Sequence, residues 1–358
     1  MIVINFLDFL NKLWPILVAI FAFGILIFIH EFGHFIFAKL FKIKVNEFSI
    51  WFGPKILKFK KGETQYSLGV IPFGGYCAME GEDTGSDDDN AFCNKPVWKR
   101  IIVVCAGAIF NLIFGFVLMM IIVGISTGVA TTTVSKFDTV ATSNQGGLLA
   151  GDTILEVEGR SIYTADDIVY ILGTVQDGKV QMEVERDGEI VELNNVQFPV
   201  MEEDGHKFTV LDFYFTPMEK NVGTVISQGF KKTVSMGRLV WMSLGDLVSG
   251  KYGLSEVSGP VGVTQIMSDA AQSVATNGID GLLYLLRIIA MITVNLGIFN
   301  LLPIPALDGG RLIFLIIEGI RRKPIPPEKE GIVHMIGMVL LFGFMILIVF
   351  KDLWTWIF

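Results

Sequence analysis

The residues that could do chemistry lie at two places in a chain of 358 residues. The first place is His30-Glu31-Phe32-Gly33-His34, an HExxH pattern within a long apolar segment. Residues four apart share one face of an α-helix, so both imidazoles can reach one metal ion. Glu31 is one step round the helix, where it can take a proton from a water molecule at the metal. The alternative is a pair of hydrogen-bonded core histidines, but ionisable groups within a membrane span are costly and usually functional.

The second place supplies a third metal ligand. Catalytic zinc sites commonly use three protein ligands and leave the fourth position to water. Asp308 lies in the segment NLLPIPALDGG (residues 300–310), where Pro303 and Pro305 cannot continue a regular helix. Non-helical backbone at membrane depth is tolerated only where protein or a water-lined cavity covers it. We therefore expect Asp308 to be the third ligand. Glu47, which we expect in a lysine-rich and solvated loop, is the rival ligand, and an Asp308 that only caps the following helix is the alternative.

The composition indicates an integral membrane protein. Charged residues make up 18% of the chain, there are 29 Phe, and the mean hydropathy is +0.57. Four segments, near residues 14–38, 101–125, 282–302 and 332–350, are long and apolar enough to cross a bilayer. A net charge of -8 argues against a nucleic-acid partner. Three cysteines, Cys77, Cys93 and Cys105, without CxxC spacing exclude a disulfide scaffold, and we expect them to be reduced.

The distribution of basic residues predicts the orientation in the membrane. They cluster after the first segment, before the second, and between the third and fourth: Lys39, Lys42, Lys44, Lys55, Lys58, Lys60, Lys61; Lys95, Lys99, Arg100; Arg311, Arg321, Arg322, Lys323. Loops rich in Lys and Arg stay in the cytoplasm. Both termini and the long segment between about 127 and 280 are then outside. The polar cluster within the first segment argues against a cleavable signal peptide.

The two chemical motifs together resemble the site-2 protease family of intramembrane zinc metalloproteases, most closely its bacterial RseP type. IPFGGY (71–76) resembles the family's membrane-reentrant β-loop, and SGPVG (258–262) the segment before its third span. AGAIFN (106–111) resembles its second-span motif, although Ala108 stands where the family usually has Pro. The resemblance implies a Zn²⁺ cofactor held by His30, His34 and Asp308. It also implies Glu31 as general base and Asn300 as a residue that holds the substrate backbone.

The same resemblance implies a substrate class. The family's RseP type cleaves single-span membrane proteins, so anti-sigma factors or remnant signal peptides are the expected substrates, in a bacterial cytoplasmic membrane. A helical substrate must be unwound, and addition to an exposed strand edge would replace its lost hydrogen bonds. Residues 64–76, with Gly74 and Gly75, could form that edge, unless they form a solvated cytoplasmic hairpin. Asn295 could assist Asn300 or serve only as a helix-packing contact.

The predicted fold is a polytopic α-helical membrane protein with four transmembrane helices, a membrane-reentrant β-loop and one extracytoplasmic β-rich PDZ-like domain. We expect an N-terminal membrane half at 1–126, the PDZ-like domain at 127–218, an amphipathic linker at 219–281 and a C-terminal membrane half at 282–358. NQGGLLAGD (144–152) and ILEVEG (154–159) resemble the bacterial PDZ pattern. A helix is expected at 165–172 and strands near 180–184 and 189–193, a pattern that an unrelated sandwich would share. Residues 225–248 are amphipathic and could lie along the outer leaflet.

Two other functions are compatible with parts of this pattern. One is a catalytically inactive zinc-binding scaffold that recruits partners through the PDZ-like domain, but neither the glutamate nor a ligand is lost. The other is a metal transporter, for which a single HExxH and one Asp provide few ligands along a path. His206 and His334 have no partner at ligand spacing, and we expect both to be structural.

Overall fold

The computed structural model of the chain describes residues 6–203, 206–250 and 259–357. The chain divides into two compact units. The membrane unit consists of Met1–Leu118 and Ser243–Phe358, and the insert unit consists of Met119–Met242.

The membrane unit is built from long apolar helices. Its helices are α1 (Phe6–Leu40), α2 (Val97–Ile125, which extends into the insert unit), α5 (Pro260–Asn277), α6 (Ile279–Leu301), α7 (Asp308–Arg321) and α8 (Pro327–Ile357). Four stretches are long and apolar enough to cross a bilayer: Leu13–Leu40, Val97–Ile125, Ile279–Leu301 and Lys329–Trp354. The four predicted spans are thus confirmed, and the chain is a multi-pass membrane protein.

Small residues allow the spans to approach closely, as is usual for helices packed within a membrane. A Cβ on Gly33 of α1 would lie 2.5 Å from the carbonyl oxygen of Ala106 in α2. A Cβ on Gly297 of α6 would lie 2.9 Å from the carbonyl oxygen of Ala108. Ala108 is fully buried, and α2 continues through it as an unbroken helix. Alanine in place of the family's usual proline therefore leaves α2 regular at this point.

Helix α5 begins at a carboxylate supplied by the last span. Oδ2 of Asp352, in α8, accepts hydrogen bonds from the backbone N–H groups of Gly259 (3.0 Å) and Gly262 (3.1 Å). The first N–H groups of a helix have no partner within the helix, and a carboxylate satisfies them well. Further along α5, Met267 and Ala270 are fully buried in a cluster with Ala19 of α1.

The segment between α1 and α2 forms a bent sheet of two long strands, β1 (Val45–Lys61) and β2 (Thr64–Met79). Trp51 and Gly53 have positive φ (67° and 86°), and the strand turns back on itself there. As a result, the first part of β1 lies between the two parts of β2: Phe48 pairs with Cys77 on one side and with Tyr66 on the other. Among the described strands, residues 75–79 pair on one side only, so they form an edge.

The predicted environment of Glu47 was wrong. Glu47 lies in β1, not in a solvated loop, and its side chain is 22% exposed. Ser67 donates a 2.5 Å hydrogen bond to its carboxylate, and the Lys55 ammonium lies 3.7 Å away. The loop interpretation failed because lysines on an exposed strand look the same in sequence as lysines in a loop.

The insert unit contains a sheet with the strand order β10-β3-β4-β6-β7, in which β5 pairs with β4, and a separate hairpin of β8 and β9. The strands are β3 (Val129–Phe137), β4 (Thr153–Val157), β5 (Arg160–Ser161), β6 (Lys179–Arg186), β7 (Glu189–Gln197), β8 (Val200–Glu203), β9 (His206–Thr209) and β10 (Phe213–Met218). Helix α3 (Ala165–Gly173) packs on this sheet through Ile168 and Leu172, which are buried with Ile154 and Val184. The helix expected at 165–172 and the two strands expected after it are present.

Polar contacts fix the turns of the insert unit. Asp152 is 1% exposed, and its carboxylate accepts hydrogen bonds from the backbone N–H of Leu149 (2.8 Å) and the guanidinium of Arg186 (2.7 Å). Helix α4 (Val222–Val248) begins in this unit, and the hydroxyl of its Ser235 donates to Asp167 at the start of α3. The expected amphipathic segment at 225–248 is therefore helical.

Candidate metal centre

Three side chains from distant parts of the chain converge on one point of the membrane unit. Nε2 of His30 lies 3.3 Å from Nε2 of His34, and these two atoms lie 3.2 Å and 3.4 Å from Oδ2 of Asp308. Among the described residues, these are the ones whose ligand atoms meet closely enough to hold a metal ion. We call these three ligand atoms the triangle. The two histidines are 9% and 8% exposed, so the triangle is largely buried.

The size of the triangle fits zinc. Ligands at the corners of a tetrahedron, with bonds of about 2.0–2.1 Å, stand about 3.3–3.4 Å apart. The three measured separations fall close to this value. Two imidazole nitrogens and one carboxylate oxygen also form a donor set that is common in catalytic zinc sites with one open position. Oδ2 of Asp308 has no hydrogen-bond partner in the described part of the chain, as expected of an atom kept for a metal.

Helix α2 provides the surroundings of both imidazoles. Nδ1 of His34 lies 2.8 Å from the carbonyl oxygen of Val103, and Nδ1 of His30 lies 3.2 Å from the side-chain amide of Asn111. In metal sites, the ring nitrogen that does not bind metal usually donates to such a partner, which fixes the orientation of the ring. Both histidines therefore have a partner that leaves Nε2 facing the triangle.

Gly107, also in α2, provides the space for the rings. A Cβ at this position would lie 2.7 Å from Cε1 of His34 and 2.8 Å from Cε1 of His30, and closer still to Nε2 of His34. Real Cβ atoms essentially never approach other atoms within 3.0 Å. The site thus requires a glycine where α2 passes under the two imidazoles.

Asp308 reaches the triangle because the chain folds back after α6. The helix ends at Leu301, and residues 302–307 form a non-helical turn before α7. Ala306 in this turn has a positive φ of 81°, and its N–H donates a 3.0 Å hydrogen bond to Nδ1 of His334 in α8. A Cβ on Gly310 would lie 2.6 Å from the carbonyl oxygen of Ile304, so the turn packs tightly on the start of α7. The structural role expected for His334 agrees with this contact.

Glu31 and two predicted substrate-binding residues lie beside the triangle. A Cβ on Gly75, at the edge of β2, would lie 3.2 Å from Cγ of Glu31 and 2.8 Å from Cγ2 of Ile27. The edge strand therefore passes directly over the carboxylate. Nδ2 of Asn300, near the end of α6, lies 3.4 Å from Nε2 of His30. Gly74, with φ of 69°, forms the turn that leads into the edge.

A partly buried ion cluster joins the end of the edge strand to α7. The guanidinium of Arg311 bonds Glu82 and lies 2.5 Å from the carboxylate of Asp83. Glu82 in turn accepts a 3.1 Å hydrogen bond from the backbone N–H of Met79. Burial raises the pKa of Glu82 above its ordinary value, and the charge of Arg311 opposes that rise. Since Asp308 is three residues before Arg311, the cluster ties the edge strand to the helix of the third predicted ligand.

Other predicted residues lie elsewhere or take no part. Glu47 is engaged with Ser67 and does not join the triangle. Oδ1 of Asn295 is buried without a hydrogen-bond partner among the described residues. The side chain of His206 lies outside the described part. Cys77 is a buried free cysteine, and burial raises the pKa of its thiol, so it stays protonated.

Sequence reasoning missed several residues that shape the site: Val103, Gly107, Asn111 and Arg311. Gly107 and Asn111 belong to the motif AGAIFN, whose resemblance to a second-span motif does not by itself predict a contact with the metal ligands. An amide in an otherwise apolar span, four residues after a glycine, was the available indication.

Comparisons with known proteins agree in assigning one family. A family model described as peptidase family M50 matches residues 18–344. A protein of Clostridium acetobutylicum that is named as a zinc metalloprotease is 38% identical over 340 residues, covering 94% of this chain and 96% of that protein. The regulator of sigma-W protease RasP of Bacillus subtilis is 29% identical, covering 94% of this chain and 98% of RasP. The zinc metalloprotease RasP of Bacillus licheniformis is also 29% identical, with the same coverage.

Proposed function

Because the chain belongs to peptidase family M50 and is a zinc metalloprotease of the site-2 type, we propose that it cleaves the membrane-spanning segments of single-span membrane proteins. His30, His34 and Asp308 hold the zinc ion, and Glu31 is the general base. The observation that carries this assignment is the triangle of ligand atoms, which lie 3.2–3.4 Å apart. The span that supplies its two histidines also carries Glu31.

The residues around the triangle divide the reaction among them. Zinc supplies Lewis acidity at such a site, lowering the pKa of water and polarising a carbonyl group. Glu31 takes the proton that water loses as it attacks the peptide carbonyl, and passes it to the departing amine nitrogen. The amide of Asn300 donates to the substrate backbone beside the triangle. Its distance of 3.4 Å from Nε2 of His30 supports this placement.

The edge of the sheet receives the substrate. A transmembrane substrate is helical, and its amides are hydrogen-bonded within the helix, so unwinding must be compensated. Residues 75–79 pair on one side only among the described strands, and Gly75 lies against Glu31. A substrate strand added to this edge regains main-chain hydrogen bonds while its scissile carbonyl faces the triangle. Gly74 and Gly75 let the edge strand pack closely in a way that a side chain would block. This sheet is the membrane-reentrant β-loop.

The insert unit contains a PDZ-like domain outside the membrane. Its sheet, its capped helix α3 and the buried Asp152 of the Gly151-Asp152 pair support this identity. The positive residues that flank the spans place the loops before α2 and after α7 in the cytoplasm of a bacterium, and the insert outside. A folded domain there excludes substrates with bulky outer parts, so the enzyme acts on stubs that another protease has already trimmed.

The substrates are anti-sigma factors or signal-peptide remnants. The Bacillus subtilis relative is named as a regulator of sigma-W, and this name supports the first class. Both classes present a single span with a short outer part, which matches a metal site at membrane depth.

The test uses the full chain, purified in detergent and returned to vesicles with a single-span reporter substrate. Glu31→Gln keeps its zinc and lowers the cleavage rate by a factor of about 10²–10⁴, the usual contribution of a general base. His34→Ala loses both zinc and cleavage. Glu63→Gln is the matched control: Glu63 is an exposed residue paired with Lys39, and its amide variant keeps full activity. Cleavage by Glu31→Gln at the rate of the unsubstituted chain would refute the assigned base.

A further inference from the structure

The two predicted histidine ligands do not have equivalent partners. Nδ1 of His34 faces the carbonyl oxygen of Val103, which can only accept, so this nitrogen carries the proton. Nδ1 of His30 faces Nδ2 of the Asn111 side-chain amide at 3.2 Å, and an amide can donate through Nδ2 or accept through Oδ1. The tautomer of His30 therefore depends on which end of that amide it meets.

Metal binding by His30 determines which end of the Asn111 amide, the oxygen or the NH₂ group, faces the ring. A neutral imidazole carries one proton, and a ring that binds metal through Nε2 must hold that proton on Nδ1. Nδ1 of His30 is then a donor and needs an acceptor. With the NH₂ group towards the ring, two donors would face each other, and Oδ1 of Asn111 has no partner among the described residues. A half-turn of the amide, whose oxygen and NH₂ ends have nearly the same shape, brings Oδ1 onto the Nδ1–H group.

We propose that Asn111 is a positioning residue that accepts a hydrogen bond from Nδ1–H of His30 and so keeps Nε2 of that ring free for zinc. The inference rests on the proposed metal site and adds to it a residue of the second span. Asn111 then does for His30 what the main chain of Val103 does for His34.

The surroundings of Asn111 suit this task. The residue is fully buried, so water cannot replace the amide as the partner of the ring. The main-chain carbonyl oxygen of Asn111 accepts a 3.2 Å hydrogen bond from the hydroxyl of Thr293 in α6, and Thr293 is also fully buried. Asn111 lies one helical turn from Gly107, on whose surface the two rings rest. The hydrogen bond from Thr293 reaches only the main chain of Asn111, so the side-chain amide remains available to the ring of His30.

Zinc affinity tests the proposal without any need for turnover. Affinity is measured on the purified full chain by competition with a chelator of known affinity, and the absorption spectrum of the Co²⁺-loaded protein reports the ligand geometry. Asn111→Leu binds zinc about 10- to 100-fold more weakly, the usual cost of removing such a partner. Asn111→Asp, which accepts but has no NH₂ group, keeps the affinity within about threefold or strengthens it.

Thr293→Val is the matched control, because it removes a buried hydrogen bond to the main chain of Asn111 but leaves the contact with His30. Its zinc affinity stays within about threefold of the unsubstituted chain. The proposal is overturned if Asn111→Asp binds zinc as weakly as Asn111→Leu, if Asn111→Leu binds zinc normally, or if Thr293→Val loses as much affinity as Asn111→Leu.

His30→Ala distinguishes a failure of the proposed metal site from a failure of the role proposed for Asn111. If that variant binds zinc normally, the proposed metal site itself is wrong. If it loses zinc while Asn111→Leu does not, only the role of Asn111 is refuted.

Discussion

Gly107→Ala is the smallest change that tests the geometry of the metal centre. The added methyl group would lie 2.7 Å and 2.8 Å from the Cε1 atoms of His34 and His30, whereas ordinary van der Waals contact begins near 3.4 Å. At least one ring, or α2 itself, must therefore move by at least about 0.7 Å to restore normal contact. Metal–ligand distances tolerate only about 0.2 Å, so the displacement is more than about three times what the site can absorb.

We expect Gly107→Ala to lose zinc and at least about a hundredfold in cleavage rate, the usual cost of misplacing reacting groups by this order of distance. Zinc content and affinity are measured on the purified protein, and cleavage is measured with the single-span reporter. Gly124→Ala is a matched control: Gly124 lies on the same helix, and a Cβ there would meet nothing within 4 Å. The methyl group that this exchange adds meets no neighbour, so this control keeps its zinc affinity and its activity.

Normal zinc affinity and normal cleavage in Gly107→Ala would refute the reasoning, because the two rings could not then rest on Gly107. A variant that loses cleavage but keeps zinc would place the clash on the substrate side of the triangle. Loss of folding is recognised by thermal unfolding in detergent, with Gly124→Ala as the reference.

Two further predictions concern the surroundings of the site. Arg311→Leu leaves the partly buried Glu82 carboxylate without its cation, so the free energy of unfolding falls by about 1.5–3 kcal/mol, as measured by denaturation in detergent. Lys39→Leu breaks an exposed pair and changes the free energy of unfolding by less than about 1 kcal/mol; equal losses would contradict the stabilising role of Arg311 in its ion cluster. Asn300→Ala keeps its zinc affinity and lowers kcat/KM for the reporter about tenfold, because one hydrogen bond to the substrate is lost. Loss of zinc in that variant would show that Asn300 supports His30 instead of the substrate.

The sequence was sufficient to predict which side chains form the triangle, although the zinc-binding role of those side chains stays a prediction. His30 and His34 are four residues apart in an apolar helix, and this spacing alone brings their Nε2 atoms together. Asp308 is 274 residues beyond His34, and its proximity followed from depth in the membrane and from the resemblance. The spans were also predictable, because a bilayer imposes a length that soluble folds do not require.

The packing between elements was not predictable in the same way. Gly107 and Asn111 act through the distance between α1 and α2, and no periodicity within α2 encodes that distance. The bend of β1 at Trp51 depends on a positive φ that a bulky residue rarely adopts, so propensity argues against it. The place of Glu47 within the sheet followed from that bend, and therefore it was misjudged.

The carboxylate at the start of α5 has a consequence for biosynthesis. Asp352 is 93 residues beyond Gly259, whose N–H group donates a hydrogen bond to its carboxylate. At a synthesis rate of about 5–20 residues per second, the ribosome adds Asp352 roughly 5 to 20 s after Gly259. During this interval the initial turn of α5 lacks its acceptor. The helix bundle is therefore completed only once the final hydrophobic segment has been inserted, and a nascent chain arrested before that point carries an unfinished α5.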